Sequence, residues 1–152
     1  MATAKVSNPR KKFLFSVTFA INSYLAQKVT LPDTEVEVVT HGDINRDVKT
    51  AGRVTVGDLV IEKLCTTSGS DTWVWDWIAA CQDMIAGGGL VPSEYWETIT
   101  VNELAEDGVS VLNTWILDEV WPKKINGLEL DRTASDNTIE HVEFAVGTCD
   151  KL

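Results

Sequence analysis

Cysteine is scarce in this sequence, and its arrangement excludes two common kinds of small protein. The three cysteines, Cys65, Cys81 and Cys149, are far apart, show no CxxC spacing and are odd in number. A disulfide framework needs paired cysteines, and a structural zinc site needs closely spaced ligands. We therefore expect neither, and Cys81, which lies among apolar residues, is interpreted as a small buried side chain.

Histidine is also scarce, and the sequence has no recognisable catalytic constellation. His41 and His141 are the only two histidines. His141 lies beside Glu140 and Glu143, but nothing marks the nucleophile that a catalytic triad requires. We predict that the chain is not an enzyme.

Three short motifs resemble ligand sites and fail on inspection. The segment 43–47 opens like a calcium loop, but Val48 and Val54 stand where that loop needs Gly and Glu. The segment 135–137 resembles a β-lactamase element without its SxxK serine. The glycines 87–89 follow a helix instead of opening one, so they do not form a phosphate loop. We expect no metal and no cofactor.

Long apolar runs and an excess of basic residues are both absent. No segment approaches the ~20 apolar residues that span a bilayer, and no secretory signal is expected, because no apolar stretch follows the early charges. Lys and Arg number 13 against 23 Asp and Glu, a net charge of −10. This balance argues against tight nucleic-acid binding, which requires a basic face.

Alternation of apolar and polar residues, the pattern of a half-buried strand, is the strongest signal present. It predicts strands over 13–21, 24–31 and 35–41. A polar loop is predicted over 42–52, followed by a strand over 53–65 that completes a long hairpin. Such a hairpin is poorly stable alone in water and needs further strands, which other chains can supply.

The period changes to that of a helix after residue 70. Trp73 and Trp77 share a helical face with Met84, and the predicted helix runs from Asp71 to Ala86 and packs on a sheet through the two tryptophans. The alternation of Trp73, Trp75 and Trp77 leaves a strand as a rival interpretation. Trp75 is either at the rim of the core or in contact with a neighbouring subunit.

Two hairpin strands and a closing strand are predicted in the second half of the chain. The strands 95–104 and 109–120 flank an Asp107-Gly108 turn, Pro122 is expected to end the second one, and the last strand covers 138–146. The predicted fold class is mainly β (α+β). It comprises two packed antiparallel sheets forming a sandwich or barrel, one α-helix and a long protruding β-hairpin, in one domain over 1–152 with an N-terminal arm over 1–11.

The order of these elements resembles the contractile phage tail tube family. The resemblance covers roughly residues 12–148. The chain differs from the pattern of that family in the connection over 87–91 and in the additional Trp75. The motifs that carry it are FLFSVTF at 13–19, the long hairpin, the Trp73/Trp77 pair, Gly108, Trp115, the Trp121-Pro122 corner and SDNTIEHVEFAV at 135–146.

The resemblance implies a structural protein that self-assembles into stacked hexameric rings. The rings would form the inner channel through which DNA passes during ejection from a contractile bacteriophage tail. The partners it implies are other copies of the chain, the tail sheath protein, and baseplate and tail terminator proteins. DNA would be met only transiently in the lumen, there would be no membrane anchor, and the location would be the virion tail, assembled in the host bacterial cytoplasm.

The hairpin is the expected assembly surface. Its inter-subunit positions are expected to be Val36, Val38, Val54, Val56 and Val60. Acidic side chains are expected to line the lumen and let DNA slide: Glu35, Glu37, Asp58 and Glu62.

Two alternatives remain open. The first is the inner tube of a phage-derived contractile injection or secretion particle that delivers protein, which gene neighbours would distinguish. The second is a small β-sandwich binding module, which would stay monomeric where a tube protein forms rings.

Overall fold

The computed structural model describes residues 10–19, 22–24, 26–64 and 73–152. The predicted arm over 1–11 lies almost wholly outside these residues. The described elements, in chain order, are β1 (Phe15–Phe19), β2 (Asn22–Tyr24), β3 (Ala26–Thr30), β4 (Thr34–Gly42), β5 (Asp47–Val56), β6 (Leu59–Leu64), α1 (Trp73–Cys81), α2 (Pro92–Tyr95), β7 (Glu97–Leu104), β8 (Val111–Ile125), β9 (Ile139–Ala145) and β10 (Thr148–Lys151).

The main sheet is antiparallel and is organised around its longest strand, β8. Seven strands follow in the order β2-β1-β7-β8-β9-β6-β3, and β10 pairs with β8 as an eighth. The first part of β8 pairs with β7 and β10, whereas its end, from Trp121, pairs with β9. Since β8 changes partner along its length, it joins two halves: β1, β2, β7 and β10 on one side, and β3, β6 and β9 on the other.

The core lies between these halves, because both contribute to one apolar cluster. Period-two alternation places every second side chain of each strand inside. The buried members are Val17 of β1, Ile99 and Val101 of β7, Leu117 and Val120 of β8, Leu59 and Ile61 of β6, Val142 and Phe144 of β9, and Val74 of α1. The prediction of a mainly β protein with packed antiparallel strands and a separate hairpin is confirmed.

The change of partner in β8 occurs at an irregular stretch of backbone. Glu119 has a φ of 56°, in the left-handed region that few residues other than glycine adopt. The pairing register shifts there and again beyond Pro122. The prediction that Pro122 ends the strand is wrong: the strand continues to Ile125. Bulged positions tolerate proline, since they do not need every ladder hydrogen bond.

The helix is shorter than predicted at its C-terminal end. It ends at Cys81, and a turn follows at residues 84–86. The chain reverses through Gly87 and Gly88, whose φ angles are 77° and 75°. Met84, expected on the packed face, is therefore exposed. The turn is followed by α2, which the sequence did not predict.

The long hairpin also differs from its prediction. The predicted polar loop over 42–52 is wrong, because β5 already begins at Asp47 and only 43–46 connect the two strands. The predicted strand over 53–65 is divided at Gly57 and Asp58 into β5 and β6, and Cys65 lies outside the described residues. Similarly, Phe13 is exposed and precedes β1 instead of facing the core.

No helix in the described part of the chain is both long enough and apolar enough to cross a membrane.

Candidate assembly surface

The β4–β5 hairpin stands apart from the main sheet. The two strands form a sheet of their own, and no other described strand pairs with either. All nine residues of β4 are exposed. In an antiparallel pair about half of the backbone N–H and C=O groups of each strand point away from the partner strand. Both outer edges of this hairpin therefore present a row of hydrogen-bonding groups available to another chain.

One face of the hairpin is apolar. Residues opposite one another in antiparallel strands share a face, and the register pairs Val36 with Val54, Thr34 with Val56 and Val38 with Ala51. This valine face therefore comprises Val36, Val38, Val54 and Val56. Val36, Val38 and Val54 are 48%, 60% and 60% exposed, so the protomer leaves the face largely uncovered.

The other face, here the glutamate face, carries Glu35 and Glu37. Glu35 lies opposite Thr55. Between Val36 and Val38 the pairing register slips by one residue, so that Gly52 and Arg53 both lie opposite Glu37. A Cβ atom on Gly52 would lie 3.1 Å from both the Glu37 carbonyl oxygen and Val39 Cγ2, so the close approach of the strands there favours glycine. The bulge keeps the two sets of side chains on opposite faces.

The hairpin continues directly from the main sheet. The Gly57 N–H donates a hydrogen bond of 2.8 Å to the Asp33 carbonyl oxygen, which bridges the gap between the β4–β5 and β3–β6 pairs. The hairpin is therefore anchored in the main sheet through its base.

Three of the residues assigned to the hairpin from sequence lie outside it. Val60 and Glu62 belong to β6, and Asp58 lies in the break before β6. Asp58 forms an ion pair with Lys123, and this hydrogen bond raises the pKa of Lys123. Glu62 Oε1 lies 3.4 Å from His141 Nδ1. The four carboxylates expected together are thus in two groups: a pair on the hairpin and a pair that contacts basic side chains on the main sheet.

The helix positions Trp73 and Trp77 against the core. Their ring centroids are 6.2 Å apart, and Trp77 lies 5.7 Å from the Phe144 ring. The Trp77 Nε1–H donates a 2.7 Å hydrogen bond to the Tyr95 carbonyl oxygen, which satisfies the polar atom of a partly buried indole. Trp75 points elsewhere and is 53% exposed.

The two histidines, the candidate catalytic side chains, lie on different parts of the fold. His41 lies on the hairpin opposite Val48, whereas His141 lies in β9 between Glu62 and Glu143. The described residues contain no group of three or more His, Cys, Asp or Glu placed to hold a metal ion. Burial raises the pKa of the Cys81 and Cys149 thiols, which favours the unreactive protonated form.

Sequence reasoning missed two exposed apolar features, at the hairpin tip and after the helix. Ile44 at the hairpin tip is 93% exposed, and Met84 and Ile85 in the turn after α1 are 86% and 96% exposed. Ile44 could have been identified from the sequence, because it is an apolar residue within a polar segment. No local pattern separates Met84 and Ile85 from the helix before them.

Comparison with known proteins gives one family. The model of the family described as T4-like virus tail tube protein gp19 matches residues 11–149. No curated protein matches the chain.

Solved structures share the fold at low sequence identity. A chain of the anti-feeding prophage cap (AFP tube terminating cap) has a TM-score of 0.84 at 16% identity, with 99% of this chain and 95% of that chain covered. A chain of the PVC sheath–tube complex in the extended state has a TM-score of 0.80 at 16% identity, with 99% of each covered. Hcp1 from Flavobacterium johnsoniae has a TM-score of 0.52 at 16% identity, with 91% and 94% covered.

Proposed function

The chain belongs to the T4-like virus tail tube protein gp19 family, and from that membership we propose that it assembles into stacked hexameric rings forming the inner channel of a contractile tail. The family is structural, and the chain is a tube protein of a contractile phage tail or a phage-derived injection system. Within that class, we propose a phage tail whose channel passes DNA.

The observation that carries the proposal is the uncovered hairpin. Its two outer edges are unpaired among the described strands, and its valine face is exposed at Val36, Val38 and Val54. Strand addition by a neighbouring copy would pair an edge, and packing on that copy would cover the valines. Burying apolar area stabilises by about 25 cal/mol per Å², so a face repeated in every copy drives association.

We assign the two hairpin faces different roles. The valine face, Val36, Val38, Val54 and Val56, contacts the neighbouring subunit. The glutamate face turns Glu35 and Glu37 toward the lumen, where negative charge discourages DNA from binding. Val60, Asp58 and Glu62, in or next to β6 of the main sheet, flank this surface, and the ion pair of Asp58 with Lys123 reduces the negative charge that Asp58 adds.

The partners follow from the same proposal. The PVC relative was solved in a sheath–tube complex, and another PVC chain in a sheath/tube terminator. We propose partners of these kinds for this chain: a tail sheath protein outside the tube, a terminator at one end and a baseplate at the other, all within the virion tail.

A second candidate is the inner tube of an injection particle that delivers protein. It is favoured by the charge of the hairpin, which is nearly balanced: residues 34–56 contain four carboxylates against three Lys and Arg. Gene neighbours separate the candidates, since capsid and terminase genes indicate a phage and toxin genes without them indicate a particle. The β-sandwich binding module is the remaining rival and would be monomeric.

Negative-stain microscopy of the purified protein at high concentration tests the proposal. We expect rings with six-fold symmetry that stack into tubes.

The double variant Val36→Lys/Val54→Lys places charge on the valine face and should stay monomeric, because burying unpaired charge is costly. The control Val109→Lys/Leu130→Lys changes two other apolar residues, 80% and 81% exposed, and should assemble. A wild-type protein that sediments only as a monomer, and forms no rings when mixed with a baseplate, contradicts the proposal.

A further inference from the structure

The turn that follows α1 is held in one conformation by its own hydrogen bonds. Asp83 Oδ1 accepts from the N–H groups of Ile85, at 2.9 Å, and Ala86, at 3.2 Å. The Gly87 N–H donates to the Asp83 carbonyl oxygen at 2.9 Å, and the Asp83 N–H donates to the Gly88 carbonyl oxygen at 2.7 Å. Because its backbone groups are bonded locally, the turn presents its side chains in a fixed geometry.

The side chains that it presents are apolar. Met84 and Ile85, here called the apolar knob, are 86% and 96% exposed. Exposed Trp75 lies on the preceding helix, and the helices on either side of the turn carry the exposed carboxylates Asp76 and Glu94. A rigid turn with two large exposed apolar side chains and acidic neighbours is a surface suited to a partner that is apolar and basic.

A groove of that character lies elsewhere on the same chain. It has a volume of about 800 Å³ and runs between the segment 11–15, strand β3 and the strands β7 and β8. Its rim carries Lys11, Lys12 and Lys28, and the one carboxylate among the described residues that line it, Glu103, is paired with Arg10 at 3.0 Å. Its apolar lining includes Phe15, Val29, Leu31, Val101 and Trp115.

Neither Met84 nor Ile85 lines the groove of its own chain. The turn and α2 lead into the start of β7 at Glu97, whereas the groove is lined by the end of β7 at Val101 and Glu103. Six strand residues span about 20 Å. With the two surfaces placed as they are in this structure, a contact between them joins different copies.

We propose that the apolar knob of one copy docks into the basic-rimmed groove of the next copy. The contact pairs apolar side chains with an apolar lining, and Asp76 and Glu94 with the lysine rim. It is heterologous, with different surfaces on the two partners, and such contacts repeat into rings or filaments. The inference rests on the proposed self-assembly and adds a second contact to that of the hairpin.

Site-specific photocrosslinking tests the contact. A benzoyl-phenylalanine introduced at Ile85 in the full chain should yield a covalent dimer whose crosslink maps by mass spectrometry to 11–15 or 26–31 of the second copy. The same group at Leu130, which is 81% exposed, should give no crosslink to those segments. Crosslinks from Ile85 to the hairpin of a second copy, crosslinks only to a sheath protein in assembled tails, or no dimer in samples that contain rings would each overturn the proposal.

A substitution pair separates this inference from the proposed function. Ile85→Asp should raise the protein concentration needed for assembly about tenfold or more, since it removes an aliphatic side chain that the proposed contact buries, while Leu130→Asp should leave it unchanged. Charge reversal at the groove, Lys28→Glu, should act in the same direction, and Arg132→Glu on an exposed loop should not. If wild type forms rings and Ile85→Asp assembles equally well, only the knob contact fails. If wild type never self-associates and gives no Ile85 crosslink, both proposals fail.

Discussion

Short carboxylates fix several turns of this protein by accepting backbone N–H groups. Asp107 Oδ1 accepts from Val109, at 2.9 Å, and Ser110, at 2.8 Å, and its Oδ2 accepts from Ser110 Oγ at 2.6 Å. Asp131 Oδ1 likewise accepts from the N–H of Thr133, at 2.9 Å, and from its Oγ1, at 2.8 Å. Asp at such positions competes with regular structure for the backbone, and it therefore occurs in turns.

These contacts predict a specific acid response. The hydrogen bond from Ser110 and those from the backbone hold the pKa of Asp107 below its ordinary value of 3.8. A carboxyl whose folded-state pKa is lowered adds stability above its ordinary pKa, and this stability is lost as the pH falls through the folded-state value. Ser110→Ala should therefore raise the Asp107 pKa in an NMR titration of side-chain carboxyls.

A reciprocal variant controls for general loosening of the loops. Thr133→Ala should raise the pKa of Asp131, whose largest lowering contributions come from Thr133, and should leave Asp107 unchanged. An Asp107 pKa that does not move in Ser110→Ala, or that moves equally in both variants, would contradict this account of the turn.

The hairpin and the main sheet differ in what stabilises them. Every member of the buried core cluster lies outside β4 and β5. The main sheet therefore obtains its stability from packing, whereas the hairpin depends on its own ladder and on what binds to it.

Removing the hairpin should separate assembly from folding. In a variant with residues 34–56 replaced by a short Gly-Ser turn, we expect a melting temperature within a few degrees of wild type. The replacement is geometrically feasible, because Asp33 and Gly57 are joined by a hydrogen bond. Sedimentation should show a monomer under conditions in which wild type forms rings.

Two outcomes would contradict that prediction. A variant that still forms rings would show that the hairpin is not the assembly surface. A variant with a collapsed near-UV signal from its tryptophans would show that the hairpin supports the core.

Local sequence patterns were sufficient to predict some of the elements. The strand β4 and the Asp107-Gly108 turn follow from period-two patterns and turn residues near them in the chain. The start of β5 did not follow, since Asp47 and Lys49 are polar and become strand only through pairing with β4. Long-range pairing of this kind has no local signal.

The remaining errors also arise from contacts distant in sequence. The helix was extended past Cys81 because residues up to Ala86 have adequate helical character, and the chain returns instead through Leu90, whose N–H donates to the Ala80 carbonyl oxygen at 2.9 Å. Proline usually ends a strand, and its acceptance at position 122 depends on the bulged pairing of β8 with β9, which has no local signal. The valine and glutamate faces can be assigned only from the strand register. The sequence alone places Glu35 and Glu37 in one group with Asp58 and Glu62.

The whole molecule is acidic, yet the hairpin contributes little to this. Of the net charge of −10, residues 34–56 supply only four carboxylates against three Lys and Arg. Any negative field in the lumen would therefore depend strongly on Glu35 and Glu37.

Reversing these two charges should convert the tube into a DNA binder. Glu35→Lys/Glu37→Lys should still form tubes, because the valine face is intact, and should retard DNA in a mobility assay, with retardation lost as salt rises. The control Glu106→Lys/Asp136→Lys makes the same charge change at exposed positions outside the hairpin. Equal retardation by both variants would show that Glu35 and Glu37 do not face the lumen.

The central claim is that the hairpin obtains backbone hydrogen bonds from sister copies, and amide hydrogen exchange measures this directly. Exchange is read by mass spectrometry on peptides covering residues 34–56, in dilute monomer and in assembled rings. The account predicts rapid exchange in the monomer for the outward half of these amides and strong protection in the rings, with β9 peptides protected equally in both. Full protection of 34–56 in the monomer, or unchanged exchange after assembly, would contradict it.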